Sequence, residues 1–150
     1  MDDNVRHSSA FRREDNRRLQ VVVNRVLRIL LKKESDTPTI TLCELSGQLS
    51  VHQRVAYSSL CTIFKTIASQ QPKYFFELLK CNESRQHRHG NQNNCAKINY
   101  NLSISRDSLL YRGSKLYNML PVDIASATNL KEFKKDAKQW VLNNVPVHPE

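Results

Sequence analysis

The sequence is poor in glycine and lacks any long apolar run. Its 3 glycines are too few for a sandwich or barrel built on many tight turns. No apolar stretch reaches the roughly 18 residues that a membrane-spanning helix needs, and no apolar segment of a secretory signal precedes Leu19. We therefore expect neither a membrane partner nor secretion.

The sequence also lacks the short motifs around which common active sites are built. It has no Gly-x-Ser-x-Gly nucleophile motif, no phosphate-binding loop and no dinucleotide-binding fingerprint. Each of these needs glycines at fixed positions, which this composition does not supply. We therefore expect a protein that is not an enzyme and that has no cofactor.

Acidic residues are the minority among the charged ones. The chain has 14 Asp and Glu against 23 Lys and Arg, which gives a net charge of +9 and a pI near 9.6. Such a balance favours a polyanionic partner, RNA or DNA. The four cysteines, without a secretory signal, indicate free thiols in a reducing compartment. We therefore predict an intracellular protein, nuclear or cytoplasmic.

Apolar residues recur with helical spacing along most of the chain. This periodicity predicts a mainly α protein, a single small domain of five or six helices. The first stripe lies on one helix face and comprises Leu19, Val22, Val23, Val26, Leu27, Leu30 and Leu31. Thr41 with Glu44, and Ser50 with Gln53, have the spacing of capping boxes for two later helices, and Asn129 with Glu132 indicates the start of the last helix. We predict a flexible lead-in at 1–16, a helical domain at 17–145 and a tail at 146–150.

One segment breaks the helical pattern. Residues 81–97 are polar and aperiodic, which predicts an exposed loop, and the alternation at 98–104 indicates a short extended segment. The loop contains Cys81, His87, His89 and Cys95 in a symmetric arrangement that could ligate zinc. Because this spacing fits no common zinc motif, we favour a plain loop and no metal.

Basic residues supply the main functional signal. Lysines and arginines cluster in three parts of the chain and, where they converge, would form a phosphate-binding surface. Tyr111 and Tyr117 could stack on bases or belong to the core, and Arg112 could bind phosphate or cap a helix. The candidate nucleic-acid-binding residues are Arg17, Arg18, Arg25, Arg28, Arg85, Arg88, Arg112, Lys134 and Lys135.

Four stretches within residues 17–145 also form a pattern that is characteristic as a set. Two parts are the most distinctive: Leu19-Gln20 followed by Asn24-Arg25-Val26-Leu27-Arg28, and Leu116-Tyr117-Asn118-Met119-Leu120-Pro121. The other two are Leu49-Ser50-Val51-His52-Gln53-Arg54 running on to Phe75, and Asn129-Leu130-Lys131-Glu132-Phe133 with Trp140-Val141. In this order the four stretches resemble the C-terminal region of reverse transcriptases of non-LTR retrotransposons of the jockey-like kind.

The resemblance implies a helical region downstream of the polymerase palm and thumb that helps to hold template RNA or target DNA. It does not imply catalysis, because the palm and its aspartates are absent from this sequence. We expect a truncated or host-co-opted piece of a transposable element that binds nucleic acid. The alternative is a protein-interaction module, self-associating or binding a partner, that acts through the helix face between Leu19 and Leu31.

Overall fold

A computed structural model describes residues 3–79 and 108–147, with side chains described from Glu14 onward. The described residues are mainly helical and contain no strand, which confirms the predicted all-α class. The predicted loop at 81–97, the extended segment at 98–104 and the Cys81, His87, His89 and Cys95 set all lie outside the described residues. The helices are α1 (Asp3–Leu31), α2 (Thr39–Ser46), α3 (Val51–Ser69), α4 (Lys73–Leu79), α5 (Leu109–Asn118), α6 (Val122–Ala125) and α7 (Leu130–Asn144).

The described residues hold seven helices, where the sequence predicted five or six. The additional element is α6, a single turn after Pro121 that is too short to show an apolar period. Helix α1 begins at Asp3, well before Leu19, so the predicted lead-in at 1–16 is largely part of this helix.

Two of the three helix starts predicted from capping residues are confirmed. Ser50 and Gln53 form a complete capping box at the start of α3, and the Asn129 side chain accepts a hydrogen bond from the backbone N–H of Glu132 at the start of α7. The capping box predicted at Thr41 is wrong. Helix α2 begins three residues earlier, with Pro38 in place of Thr41 as the N-cap residue. Extended backbone at Pro38 leads into the helix, and the Pro38 carbonyl accepts its first hydrogen bond, from the Leu42 N–H.

Helix α3 is the centre of the fold. Phe64 of α3 stacks on Phe133 of α7 with the ring centroids 4.0 Å apart, and Tyr117 of α5 lies 6.4 Å from the same ring. Gly113 brings α5 close to α3, since a Cβ there would lie 3.0 Å from Cγ1 of Ile63. This close approach explains a glycine within a helical apolar pattern. The buried core around these contacts includes Leu49, Ala56, Leu60, Ile63, Phe64, Leu79, Tyr117, Leu120, Phe133, Ala137 and Val141.

Candidate nucleic-acid interface

Helix α1 is joined to the rest of the domain by buried amides. Asn24 donates through Nδ2 to the Thr39 hydroxyl at 2.8 Å, and Gln20 donates through Nε2 to Asn24 Oδ1 at 2.8 Å. Gln20 Oε1 accepts a hydrogen bond from the backbone N–H of Val51 at 2.7 Å, which ties α1 to the first turn of α3. Because buried amides need their partners, this chain of bonds fixes which face of α1 turns inward.

That orientation divides the apolar stripe of α1 along its length. Leu27 is buried and Val23 and Leu31 are half-buried, so these three residues face the domain. The other four face outward, with exposed fractions of 55% for Leu19, 60% for Val22, 49% for Val26 and 71% for Leu30. The stripe predicted as one face therefore consists of an inner half and an outer half.

The basic residues of α1 lie on a third side of the helix. Arg25, Arg28, Lys32 and Lys33 line an open depression of about 580 Å³ at the C-terminal end of α1. Its remaining lining consists of Val21, Ile29 and Ser35. Four cations beside the apolar side chains of Val21 and Ile29 suit a phosphate with an attached sugar or base.

The C-terminal end of α1 positions Lys32 and Lys33. The Lys33 N–H donates to the Arg28 carbonyl at 2.9 Å and the Lys32 N–H donates to the Ile29 carbonyl at 3.3 Å, as in a Schellman motif. Lys32 adopts a φ of 51° where glycine is usual. Lysines beside the exposed C-terminal carbonyls of a helix are also favoured by the helix dipole.

Arg28 differs from the other cations of this depression because it is half-buried. Its Nη2 donates to the carbonyl of Thr37 at 2.9 Å, which holds the turn between α1 and α2. Its Nε is buried and has no hydrogen-bond partner among the described residues. Arg28 thus contributes charge to the depression while its position is set by a structural contact.

The predicted binding residues are distributed over three helices. Arg17 and Arg18 are exposed on α1, where Arg18 pairs with Glu14 at 3.4 Å, and Lys134 and Lys135 are exposed on α7. Arg112 lies on α5, and Arg85 and Arg88 fall outside the described residues. The structure therefore places four of the predicted residues, Arg17, Arg18, Arg25 and Arg28, on one helix.

A second groove lies between α3 and α5, with a volume of about 580 Å³. Arg112, Lys115, His52 and Tyr111 line it, together with the apolar side chain of Met119. Sequence reasoning did not select Lys115 or His52, nor Lys32 and Lys33 of the first depression. The run of lysines at the end of α1 was the available signal for the latter pair.

The structure decides between the two roles that the sequence left open for Tyr117. Tyr117 is 5% exposed, lies against Phe133 and donates through its hydroxyl to the Ala125 carbonyl at 3.4 Å, so its ring belongs to the core. It is buried because the inner face of α5 turns toward α3 and α7. Tyr111 is half-buried in the second groove, where part of its ring stays accessible.

Cys43 and Cys61 are buried free thiols. Burial raises the pKa of both, with Glu44 adding to the rise at Cys43, while a hydrogen bond with Tyr57 opposes the rise at Cys61. Buried protonated thiols are poor nucleophiles and poor metal ligands. Within residues 3–79 and 108–147 no cluster of three or more His, Cys, Asp or Glu could hold a metal ion.

None of the helices in the described part of the chain combines the length and the apolar character needed to cross a membrane. Comparison with protein-family models, with curated proteins and with solved structures found no match for this chain.

Proposed function

We propose that this chain is a non-catalytic, intracellular nucleic-acid-binding module, derived from the C-terminal region of a retrotransposon reverse transcriptase. The four motifs between Leu19 and Val141 support the origin. The observation that carries the binding function is the basic depression at the end of α1, where Arg25, Arg28, Lys32 and Lys33 share one concave surface. Binding there would use phosphate contacts and would show little preference for base sequence.

The proposal is tested by fluorescence anisotropy with labelled single-stranded RNA and duplex DNA at two salt concentrations. The double variant Arg25→Glu/Lys32→Glu reverses two exposed cations of the depression and leaves Arg28 to hold the Thr37 carbonyl. We expect it to weaken binding at least about tenfold near physiological salt. We also expect the slope of log affinity against log salt to fall by about two, one unit for each phosphate contact.

The matched control is Lys65→Glu/Lys73→Glu. Lys65 and Lys73 are also exposed and lie on α3 and α4. Their replacement by Glu changes the net charge by the same amount as Arg25→Glu/Lys32→Glu does. If both double variants weaken binding equally, the depression is not the site and the whole positive charge attracts the polymer. If the unmodified chain binds neither RNA nor DNA near physiological salt, the proposed function is wrong.

One observation favours a second candidate function, protein interaction through α1. The outer half of the apolar stripe, together with Ile29 beside it, leaves about three whole aliphatic side chains in contact with water. This is the amount to which the exposed fractions of Leu19, Val22, Val26, Ile29 and Leu30 add up. Contiguous apolar surface of this size is typical of interaction sites. The double variant Val26→Asp/Leu30→Asp should abolish partner binding and keep the fold, since Val26 is about half exposed and Leu30 is 71% exposed.

A further inference from the structure

Exposed apolar residues on the outer side of α1 have the spacing of a helix-pairing seam, which consists of Leu19, Val22, Val26, Ile29 and Leu30. Leu19, Val22, Val26 and Ile29 are separated by three, four and three residues, which is the a and d pattern of a heptad. Leu30 lies beside Ile29 on the same side. Ile29 is 72% exposed and Leu30 is 71% exposed. Side chains at this spacing fit between those of a second helix that runs alongside.

The charges around this seam have one sign. Arg18 and Arg25 are seven residues apart and follow one edge of it, and Lys32 and Lys33 stand at its C-terminal end. All four are exposed. The acidic residues among the described side chains of α1, Glu14 and Asp15, precede the seam, and Glu14 already pairs with Arg18. A partner lying in the seam would therefore meet positive charge along its flank.

A second copy of the chain is a poor occupant for this seam. Each copy carries a net charge of +9 and would bring its own Arg18, Arg25, Lys32 and Lys33 to the same seam. Two positively charged copies repel each other, and in an antiparallel pair the Arg18 and Arg25 edges would face each other as like charges at the flanking positions of a coiled coil. The seam is also small, because the equivalent of about three exposed aliphatic side chains is less surface than the roughly 800 Å² per partner of a standard interface. Favourable charge contacts at the edge are therefore needed to complete the binding surface.

We propose that α1 binds an amphipathic helix with an apolar seam and a row of Glu or Asp along the edge that faces Arg18 and Arg25. This inference rests on the second candidate function and names its partner class. From Leu19 to Leu30 the seam is about 17 Å long, which matches a partner helix of roughly three turns. Apolar side chains would supply the contact, and the acidic edge would select this partner over neutral or basic helices.

The test uses three synthetic helical peptides that share the same leucine and isoleucine seam. Their flanking positions carry Glu in the first, Gln in the second and Lys in the third. Binding is measured by anisotropy of a peptide label, with chain freed of nucleic acid by nuclease. We expect the Glu peptide to bind about threefold to tenfold more tightly than the Gln peptide at low salt, and the Lys peptide to bind most weakly. High salt should shrink these differences.

Two variants assign the effect to the seam and to its edge. Arg18→Glu/Arg25→Glu should reverse the order, so that the Lys peptide binds most tightly, whereas Lys65→Glu/Lys73→Glu should leave the order unchanged. Val26→Asp/Leu30→Asp should abolish binding of all three peptides. Far-UV circular dichroism checks that each variant keeps its helix content.

The outcomes separate this inference from the function on which it rests. Equal binding of all three peptides would support protein interaction through α1 and would overturn the proposed selection of an acidic edge on the partner. Binding of none overturns both. A Glu peptide with serines in its seam should not bind, and tight binding of that peptide would show a simple polyanion site instead. Sedimentation showing a dimer that Val26→Asp/Leu30→Asp makes monomeric would assign the seam to a second copy and overturn the proposal.

Discussion

Helix α3 makes apolar contacts around Ile63 and Phe64 and hydrogen bonds with α1 at its first turn. Around Ile63 and Phe64 it meets α5 and α7 through fully buried apolar side chains, with Phe133 stacked at 4.0 Å. At its first turn it meets α1 through hydrogen bonds, with the Val51 N–H donating to Gln20. Apolar contact tolerates small rotations of a helix, whereas a chain of buried amides defines one orientation.

The comparison explains how α1 can present so much apolar surface to water. Gln20 and Asn24 occupy the side of the helix nearest the domain. Some of the apolar side chains around them therefore face the domain, and the others face solvent. A buried amide also joins α3 to the end of α7, where Gln53 Nε2 donates to the Val145 carbonyl at 2.9 Å, but the contact around Phe64 and Phe133 is apolar. Similar amphipathic spacing thus produces a packed core in one region and an exposed seam in the other.

The largest predicted difference between the two regions concerns two single truncations. Phe133→Ala removes a fully buried ring and should lower the free energy of unfolding by about 3–5 kcal/mol. Leu30→Ala removes a side chain that is 71% exposed and should change it by less than about 0.5 kcal/mol. Urea denaturation followed by far-UV circular dichroism measures both. A large loss from Leu30→Ala would mean that the seam is covered in solution.

The next prediction concerns the amides that join α1 to the domain. Asn24→Ala leaves the Gln20 amide and the Thr39 hydroxyl without their partner and should cost about 1–3 kcal/mol of unfolding free energy. The control is Gln139→Ala, which removes an exposed amide pair with Asn143 on α7 and should have little effect. Equal effects of the two substitutions would contradict the structural role of the α1 amides.

A smaller effect is expected at the close approach of α5 to α3. Gly113→Ala gains helix propensity worth up to about 1 kcal/mol. The new Cβ must, however, displace Ile63, which is fully buried, at a cost of about 1–3 kcal/mol. We therefore expect a net loss of about 1 kcal/mol in a denaturation curve. A gain in stability would show that Ile63 moves aside freely.

The smallest predicted effect concerns the reactivity of the two buried thiols, Cys43 in the α1 and α2 region and Cys61 in the α3, α5 and α7 core. At pH 8 both should react slowly with iodoacetamide, because burial raises the pKa of Cys43 and Cys61. A raised pKa in the folded state stabilises the fold fully below the pKa of the unfolded thiol. That contribution is lost as the pH rises through the folded value, so stability should decline above about pH 9.

Peptide mapping of the same reaction compares the regions directly. Cys43 lies on α2, which α1 contacts through Asn24 and Thr39, whereas Cys61 lies in the core of α3. Asn24→Ala should therefore accelerate alkylation of Cys43 and leave that of Cys61 unchanged, because it weakens only the α1 and α2 region. Equal acceleration at both cysteines would indicate that the domain opens as one unit.

Several features of the fold follow from local sequence and were predicted from it. The all-α class, the capping box at Ser50 and the helix start at Asn129 depend on residues within one or two turns of each other. The early start of α2 at Thr39 was missed, since Thr41 and Glu44 also have capping spacing and the choice depends on how the chain passes Pro38. The choice between the core and base stacking for Tyr117 required knowing where α7 lies.

For the candidate site, the sequence determined that α1 is amphipathic and that Arg18, Arg25 and Lys32 recur every seven residues, with Lys33 next to Lys32. A helix of fixed pitch turns this spacing into faces. The sequence could not determine which of those faces meets the domain. The tertiary structure decided this through hydrogen bonds from α1 to Thr39 and Val51, which are distant in sequence. Those bonds turned Gln20 and Asn24 inward, and the seam and the basic depression are exposed as a consequence.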